Sequence, residues 1–349
     1  MASRRRSTED RTSYGNPASS VASTPMQRLA EKLLTAFQLT RLSLVFGAIA
    51  DVWFIVIYTR SDTRYDLLPA FEMPLAIDLV TAALLAVGLF AFATSLNDLL
   101  DLRHDAAFSP ARPLPAGRIR AGQAVVITIG ALLLAIAAAI PFGTGGLVLA
   151  VLAATAALFY NATGKYLPAI GVITAGLVHV AHMLVPNHEM VFMLPVWLIF
   201  THVLVTSVIG YQLEGKRPQL TLLGYTGILM GWVFWSVVIL GLGAQRDPMG
   251  YFLPGELGLE TLVWPILAII GFIAIAWWKV GPVKGPHGAE KLRRYAAMWH
   301  GVYAVSWFAA VGLWHATILM AVFTVVGIAT MTLLKELTST DPGMVGYRV

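Results

Sequence analysis

Polar positions are confined to short gaps between long apolar runs along most of this chain, and the runs are too long for strands. They predict helices near 34–58, 75–98, 122–142, 145–162, 168–186, 190–212, 220–243, 258–280, 292–311 and 314–335. Most are about 20 residues long, which at about 1.5 Å per residue crosses roughly 30 Å of hydrocarbon. The third and fourth are separated only by a glycine-rich turn, Gly143 to Gly146. Residues 1–25 break the pattern. They are Ser- and Arg-rich, with Arg4, Arg5 and Arg6, and have the composition of a disordered tail. Glu9 and Asp10 argue against a transit peptide, and no apolar signal-peptide core lies in the first thirty residues.

Composition turns these helices into membrane spans. Of 349 residues, 57% are hydrophobic and 12% charged, whereas a soluble domain is about a quarter charged. Mean hydropathy is +0.72. Such a chain would expose large apolar patches in water, so the bilayer is its solvent. The net charge of +5 then informs on topology rather than on nucleic acid, which is not an expected partner. With no cysteine, disulfides, thiolate nucleophiles and cysteine metal sites are excluded.

The basic residues are unevenly divided. With the N-terminus inside, the cytoplasmic gaps hold Arg103, Arg112, Arg118, Arg120, Lys165, Lys216, Arg217, Lys279, Lys284, Lys291, Arg293 and Arg294, and Lys335 also falls inside. The opposite gaps hold Arg60, Arg64 and Arg246. This asymmetry sets the orientation and supports the parity of the helix count. Trp277, Trp278, Trp314 and Tyr58 fall near the expected interfaces.

The strongest local signal follows the second helix: Asn97-Asp98-Leu99-Leu100-Asp101-Leu102-Arg103-His104-Asp105. Spacings of three and four put Asp98, Asp101 and Asp105 on one face of a continuing helix. Three adjacent anions repel one another unless a cation binds them, and hard oxygen ligands beside Asn97 suit Mg²⁺ bridging to a phosphate. The plainer alternative is a solvated helix end with ordinary charges, His104 facing water. Arg112-Pro113-Leu114-Pro115-Ala116-Gly117-Arg118 follows in the same gap. Its arginines suit a diphosphate, and its prolines and Gly117 suit a loop of fixed shape.

These residues, Asn97-Asp98-x-x-Asp101-x-x-x-Asp105 followed by Arg112-Pro113-Leu114-x-x-Gly117, resemble the first aspartate-rich motif of the UbiA superfamily of intramembrane prenyltransferases, the 4-hydroxybenzoate polyprenyltransferase-like enzymes. The resemblance extends over most of residues 35–310. It implies that Asn97, Asp98, Asp101 and Asp105 hold Mg²⁺ against a polyprenyl diphosphate donor and that Arg112 contacts the diphosphate. Tyr160-Asn161-Ala162-Thr163-Gly164-Lys165 is similar to the family's Tyr…Lys segment after the fourth helix, which brings Tyr160 and Lys165 to the substrate. Taken alone, Lys165 is equally an ordinary positive-inside lysine.

Two regions depart from the family pattern. At the second aspartate-rich motif the chain has Tyr211-Gln212-Leu213-Glu214-Gly215-Lys216-Arg217-Pro218, so only Glu214 remains as an anionic metal ligand. Lys216 repels a second Mg²⁺ and would instead contact the diphosphate. In the fifth helix His179 and His182 stand three apart on one face, where relatives carry arginine and asparagine. His202 in the sixth helix and Asp51 in the first are also intramembrane ionisable groups. Three readings stay open for this set: an acceptor pocket in which Asp51 takes the released proton, interhelical hydrogen bonds, or a transition-metal or haem site. Asp78 and Glu260 read as interface residues. Glycines 224, 227 and 231 read as a close-packing stripe.

The expectation is an all-α polytopic membrane bundle, with nine family-like transmembrane helices plus an extra C-terminal helix. Residues 1–30 form a disordered tail, 31–337 the prenyltransferase-like transmembrane domain and 338–349 a C-terminal tail. The N-terminus and aspartate-rich loops face the cytoplasm of what is expected to be a bacterial cell membrane. The expected activity is Mg²⁺-dependent transfer of a prenyl group from a polyprenyl diphosphate to a small lipophilic or aromatic acceptor. The alternative is a prenyl-lipid-binding or transport protein with a degenerate site.

Overall fold

The computed structural model describes residues 35, 36, 39, 41, 44–68, 72–110, 112–215, 218–250, 253 and 257–339, with side chains as far as 333. The tail expected at 1–30, residues 340–349 of the tail expected at 338–349, and Lys216 lie outside the described residues, while 338 and 339 continue the last helix. The described residues form α-helices joined by short turns and 3₁₀ segments, with no strand among them. The helices are α1 Val45–Arg60, α2 Leu75–Leu100, α3 Leu102–Phe108, α4 Ala121–Ala139, α5 Gly143–Ala162, α6 Pro168–Met183, α7 Leu194–Leu213, α8 Leu222–Arg246, α9 Val263–Lys279, α10 Gly285–Ala310 and α11 Trp314–Ser339. Ten are long and correspond in order to the ten apolar runs. The short α3 continues the acidic end of α2.

Six helical segments are long and apolar enough to cross a membrane: Leu75–Leu100, Ala121–Ala162, Leu194–Leu213, Leu222–Arg246, Leu259–Lys279 and Trp314–Leu333. The second contains both α4 and α5. A 3₁₀ turn, Ile140–Phe142, and Gly143 at φ 79° separate them. The apolar α6 is shorter, at 16 residues, and α10 carries charges along its first turns. This is an integral membrane protein whose short or charged helices lie toward the middle of the bundle.

Helix α1 is that middle. Val45, Ile49, Val52 and Val56 pack into one apolar cluster with α2, α4 and α5, while Ala50, Phe54, Ile55 and Tyr58 pack into a second with α6, α7 and α10. A helix apolar on all sides is buried on all sides. Helices α8 and α9 are peripheral, and Phe234, Val237, Ile270 and Ile273 on them are exposed to the surroundings. The last helix covers α1 and α10: the Phe323 ring lies tilted 4.5 Å from that of Trp53, centroid to centroid, and a side chain at Gly301 would strike Thr324.

Small residues let α1 and α10 approach closely. A Cβ at Gly47 would lie 2.2 Å from the carbonyl oxygen of Ala297. Gly47→Val must force the helices apart, so it is expected to destabilise the fold by about 1–3 kcal/mol. Thermal unfolding in detergent measures this, and an unchanged midpoint would contradict the close contact.

The ends opposite the acidic motif are tied by polar contacts. Buried Asp78, in the first turn of α2, pairs with Arg60 at the end of α1. Asn187 donates to the Thr59 hydroxyl at 3.0 Å, and Tyr65 accepts from the Val191 amide at 2.8 Å. Helix α10 begins at Gly285, earlier than the apolar run at 292 indicated. Gly285 (φ 72°) and Pro286 provide a helix start. Its charged first turns fall outside a hydropathy window yet remain helical, with Lys291 and Arg294 half-buried and Arg293 paired with Glu214.

Candidate functional site

The acidic motif is built by a helix that barely breaks. Helix α2 ends at Leu100, but the Asp101 amide still donates to Asn97 and the Asp105 amide to Asp101. The chain therefore keeps helical spacing from α2 into α3, and Asp98, Asp101 and Asp105 stay on one ridge. Asp98 and Asp105 are buried, at 5% and 3% exposure.

Basic side chains converge on this ridge from separate elements. Arg41, ahead of α1, donates to Asp98 Oδ1 at 2.9 Å. Arg112 donates to Asp105 Oδ2 at 2.6 Å and lies 3.8 Å from Asp98. Lys165 donates to Asp101 Oδ1 at 2.5 Å and reaches Asn97 Oδ1 at 3.5 Å. The Arg112 loop is held by its own turns, with Gly117 in the left-handed region at φ 69° and buried Leu114 packed against Leu39, Ile119 and Ala124. Asn161 donates to the Ala93 carbonyl at 3.0 Å, which fixes the end of α5, and so the Lys165 turn, against α2.

Beneath this rim lies a cavity of about 300 Å³. Arg41, Tyr160, Lys165, Glu214 and Arg293 line its polar mouth, and Leu44, Phe90, Val172 and Val203 line its apolar wall. Glu214 pairs with Arg293 at 2.5 Å. Gln212, where an aspartate was missed, bonds to the Tyr225 hydroxyl.

The deep wall carries a second polar cluster. Asp51, 2% exposed, accepts from His300, whose Nδ1 lies 2.9 and 3.0 Å from its two carboxylate oxygens. His179 Nδ1 lies 3.5 Å from Asp51 Oδ2. His179 and His300 are in the cavity wall, whereas Asp51, His182 and His202 are buried behind it. His202 Nδ1 meets the Tyr303 hydroxyl at 3.1 Å, and its Nε2 lies 3.3 Å from the Ala296 carbonyl. His182 is buried, and its Nε2 has no hydrogen-bond partner among the described residues. Asp51→Ala strands the imidazoles that face it. Its expected cost is about 3 kcal/mol, the scale for breaking one side of a buried charged pair. A thermal midpoint equal to that of the unmodified protein would contradict this pairing.

The structure thus gathers Asn97, Asp98, Asp101, Asp105, Arg112 and Lys165 at the rim, Tyr160 and Glu214 at the mouth, and Asp51 and His179 in the deep cluster. Reasoning from sequence missed Arg41, Arg293, His300 and Tyr303 as site residues. Arg41 and Arg293 look like ordinary positive-inside charges. His300 lies well inside the ninth apolar run, where the rule that singled out His179 and His202 applies equally.

The donor set at the rim, three carboxylates and an amide oxygen, is of the hard kind that Mg²⁺ takes, but here each carboxylate is drawn to its own cation and their oxygens do not converge on one point. Their present cationic partners are the groups that a diphosphate would attract.

No family model matches the chain, and no curated protein does. Among solved structures it is similar to a digeranylgeranylglyceryl phosphate synthase, with 19% identity and a TM-score of 0.50, covering 80% of this chain and 98% of that one. It is also similar to a UbiA homologue from Archaeoglobus fulgidus solved with GPP and Mg²⁺, with 17% identity and a TM-score of 0.50, covering 80% and 99% of the two chains.

Proposed function

We propose that this chain, which has the fold of the UbiA superfamily of intramembrane prenyltransferases, transfers a prenyl group from a polyprenyl diphosphate to a small lipophilic or aromatic acceptor within the membrane. The observation that carries the proposal is the juxtaposition of the carboxylate ridge and its basic partners with an apolar cavity directly beneath. A prenyl diphosphate has that shape and polarity: a multiply charged head on an apolar tail.

Asn97, Asp98, Asp101 and Asp105 would hold Mg²⁺, with Glu214 at the opposite lip. When bound, Mg²⁺ supplies electrostatic stabilisation of the departing diphosphate. The protein's own groups do the rest. Arg41, Arg112 and Lys165 swap their carboxylate partners for diphosphate oxygens, so no cation is left unpaired when the donor enters. Arg293 extends that positive surface, and Lys216, expected from sequence to contact the diphosphate, would add a further cation. Loss of diphosphate from an allylic carbon leaves a cation that needs a dry pocket with aromatic faces. Phe90, Tyr160 and Tyr211 line the cavity for that purpose. The acceptor's polar group meets His179 and His300 at the deep wall, with His182 and His202 supporting the wall. Asp51, the proton acceptor in this reading, reaches the cavity only through those two imidazoles. The rim and the N-terminus face the cytoplasm, as the basic residues require.

The testing experiment incubates purified protein with labelled prenyl diphosphates of several lengths, Mg²⁺ and aromatic or lipophilic acceptors. Chelator-sensitive diphosphate release coupled to acceptor labelling supports the proposal. Absence of release at every donor length contradicts it. The altered second motif favours one rival, a protein that binds or moves prenyl lipids without turnover. Gln212→Asp with Lys216→Asp distinguishes the two. A decayed site gains Mg²⁺-dependent donor binding, whereas a working site that uses Lys216 on the diphosphate loses it.

A further inference from the structure

The deep cluster has the form of a ligand set. Asp51 from α1, His179 from α6 and His300 from α10 bring a carboxylate oxygen and two imidazole nitrogens to positions all within 4.8 Å of one another. Both histidines present the same atom, Nδ1, to the carboxylate. The Asp51–His300 separation of 2.9 Å and the Asp51–His179 separation of 3.5 Å bracket what a shared ion imposes. Ligands about 2.1 Å from a metal at right-angle to tetrahedral angles stand about 3.0–3.4 Å apart. His179 and His300 are also in the cavity wall, so an ion between them would keep positions open toward the cavity.

The rest of the polar neighbourhood is arranged around this trio. His202 packs its ring 5.5 Å from that of His300, centroid to centroid, but both its nitrogens face other groups, the Tyr303 hydroxyl and the Ala296 carbonyl. It supports the His300 ring and is not a candidate ligand. His182, one turn along α6 from His179, is buried, and its Nε2 has no partner among the described residues, an unusual addition to a purely hydrogen-bonded packing contact. Ionisable groups this deep in a bundle are expensive and mark function. The trio is separate from the rim: from Pro168 at the start of α6 to His179 the helix rises about 16 Å.

We propose that Asp51, His179 and His300 form a binding site for a first-row divalent transition ion at the deep end of the cavity, distinct from the Mg²⁺ site at the rim. Two imidazoles and one carboxylate suit iron, zinc or manganese rather than Mg²⁺, which takes oxygen ligands. The open positions would receive an oxygen of the molecule that fills the cavity, and Asp51 would then serve as a ligand in place of a proton acceptor. The inference rests on the trio's geometry and not on prenyl transfer.

Cobalt(II) is the probe. Protein carrying Asp98→Asn and Asp101→Asn, which weaken competition from the rim, is stripped with a chelator, reloaded with Co²⁺ and examined by visible absorption and by metal analysis. The expected result is one tightly held ion per chain with the ligand-field bands of nitrogen coordination. Added to that background, His300→Ala and the nearly isosteric Asp51→Asn should each weaken binding by at least about 10–100-fold. X-ray absorption of the cobalt-loaded protein, which needs no further variant, should report two imidazoles in the first shell. Folded, monodisperse protein that retains no cobalt, or cobalt whose bands and affinity are indifferent to Asp51→Asn and His300→Ala, overturns the site. The diphosphate-release assay is run on the unsubstituted protein and does not depend on the cobalt result, so the two proposals fail separately.

Discussion

Replacing Asp98 or Asp101 with alanine is expected to reduce Mg²⁺-dependent diphosphate release by at least about 10²–10³-fold, the scale on which a lost electrostatic stabiliser of developing charge acts, while the protein stays folded. Asp98 is the hub of the ridge. Its Oδ1 accepts from Arg41 and lies 3.8 Å from Arg112. Asp98→Ala removes one carboxylate partner from Arg41 and leaves Arg112 on Asp105, so the diphosphate head of the donor should still bind, and the loss should appear in turnover more than in KM. Circular dichroism and gel filtration in detergent check the fold. Full activity in both variants would remove the ridge from the mechanism.

The opposite split is expected at Lys165. Lys165→Met deletes a cation without touching the carboxylates. The donor loses one charge-assisted contact worth about 1.5–3 kcal/mol, so its apparent affinity should fall about 10–100-fold. Metal binding should move the other way. Lys165 neutralises Asp101 at 2.5 Å, and without it the ridge attracts a divalent cation more strongly in the absence of donor. Mn²⁺ titration followed by electron paramagnetic resonance measures this. Weaker Mn²⁺ binding in Lys165→Met would show that the lysine orders the ridge instead of competing for it. Arg112→Ala, which strands the buried Asp105, should share the donor defect and add a loss of thermal stability.

Much of this was legible from the residues because membrane burial writes a strong signal. The ten apolar runs became ten long helices in the same order, and the Asp98–Asp101–Asp105 spacing became a ridge because α2 and α3 are nearly one helix. The Arg112 loop was legible for a local reason: its prolines and Gly117 dictate its turns. What hydropathy could not reveal were contacts between distant elements. Arg41 reaches Asp98 across 57 positions, and His300 reaches Asp51 across 249. Neither pairing leaves a periodicity. Helix α10 hid its beginning for a related reason: Lys291, Arg293 and Arg294 count as cytoplasmic charges, while their helical phase puts Arg293 against Glu214.

The central claim is that the ridge and its cations grip the head of a prenyl diphosphate whose tail fills the cavity below. A structure of the protein with Mg²⁺ and a non-hydrolysable thiolo analogue of geranyl diphosphate tests it most directly. The account predicts diphosphate density between Asp98 and Asp101 on one side and Arg112 and Lys165 on the other, with the tail running past Phe90, Val172 and Val203. Density for the analogue elsewhere, with the Arg41–Asp98 and Lys165–Asp101 pairs still closed over an empty cavity, would contradict it.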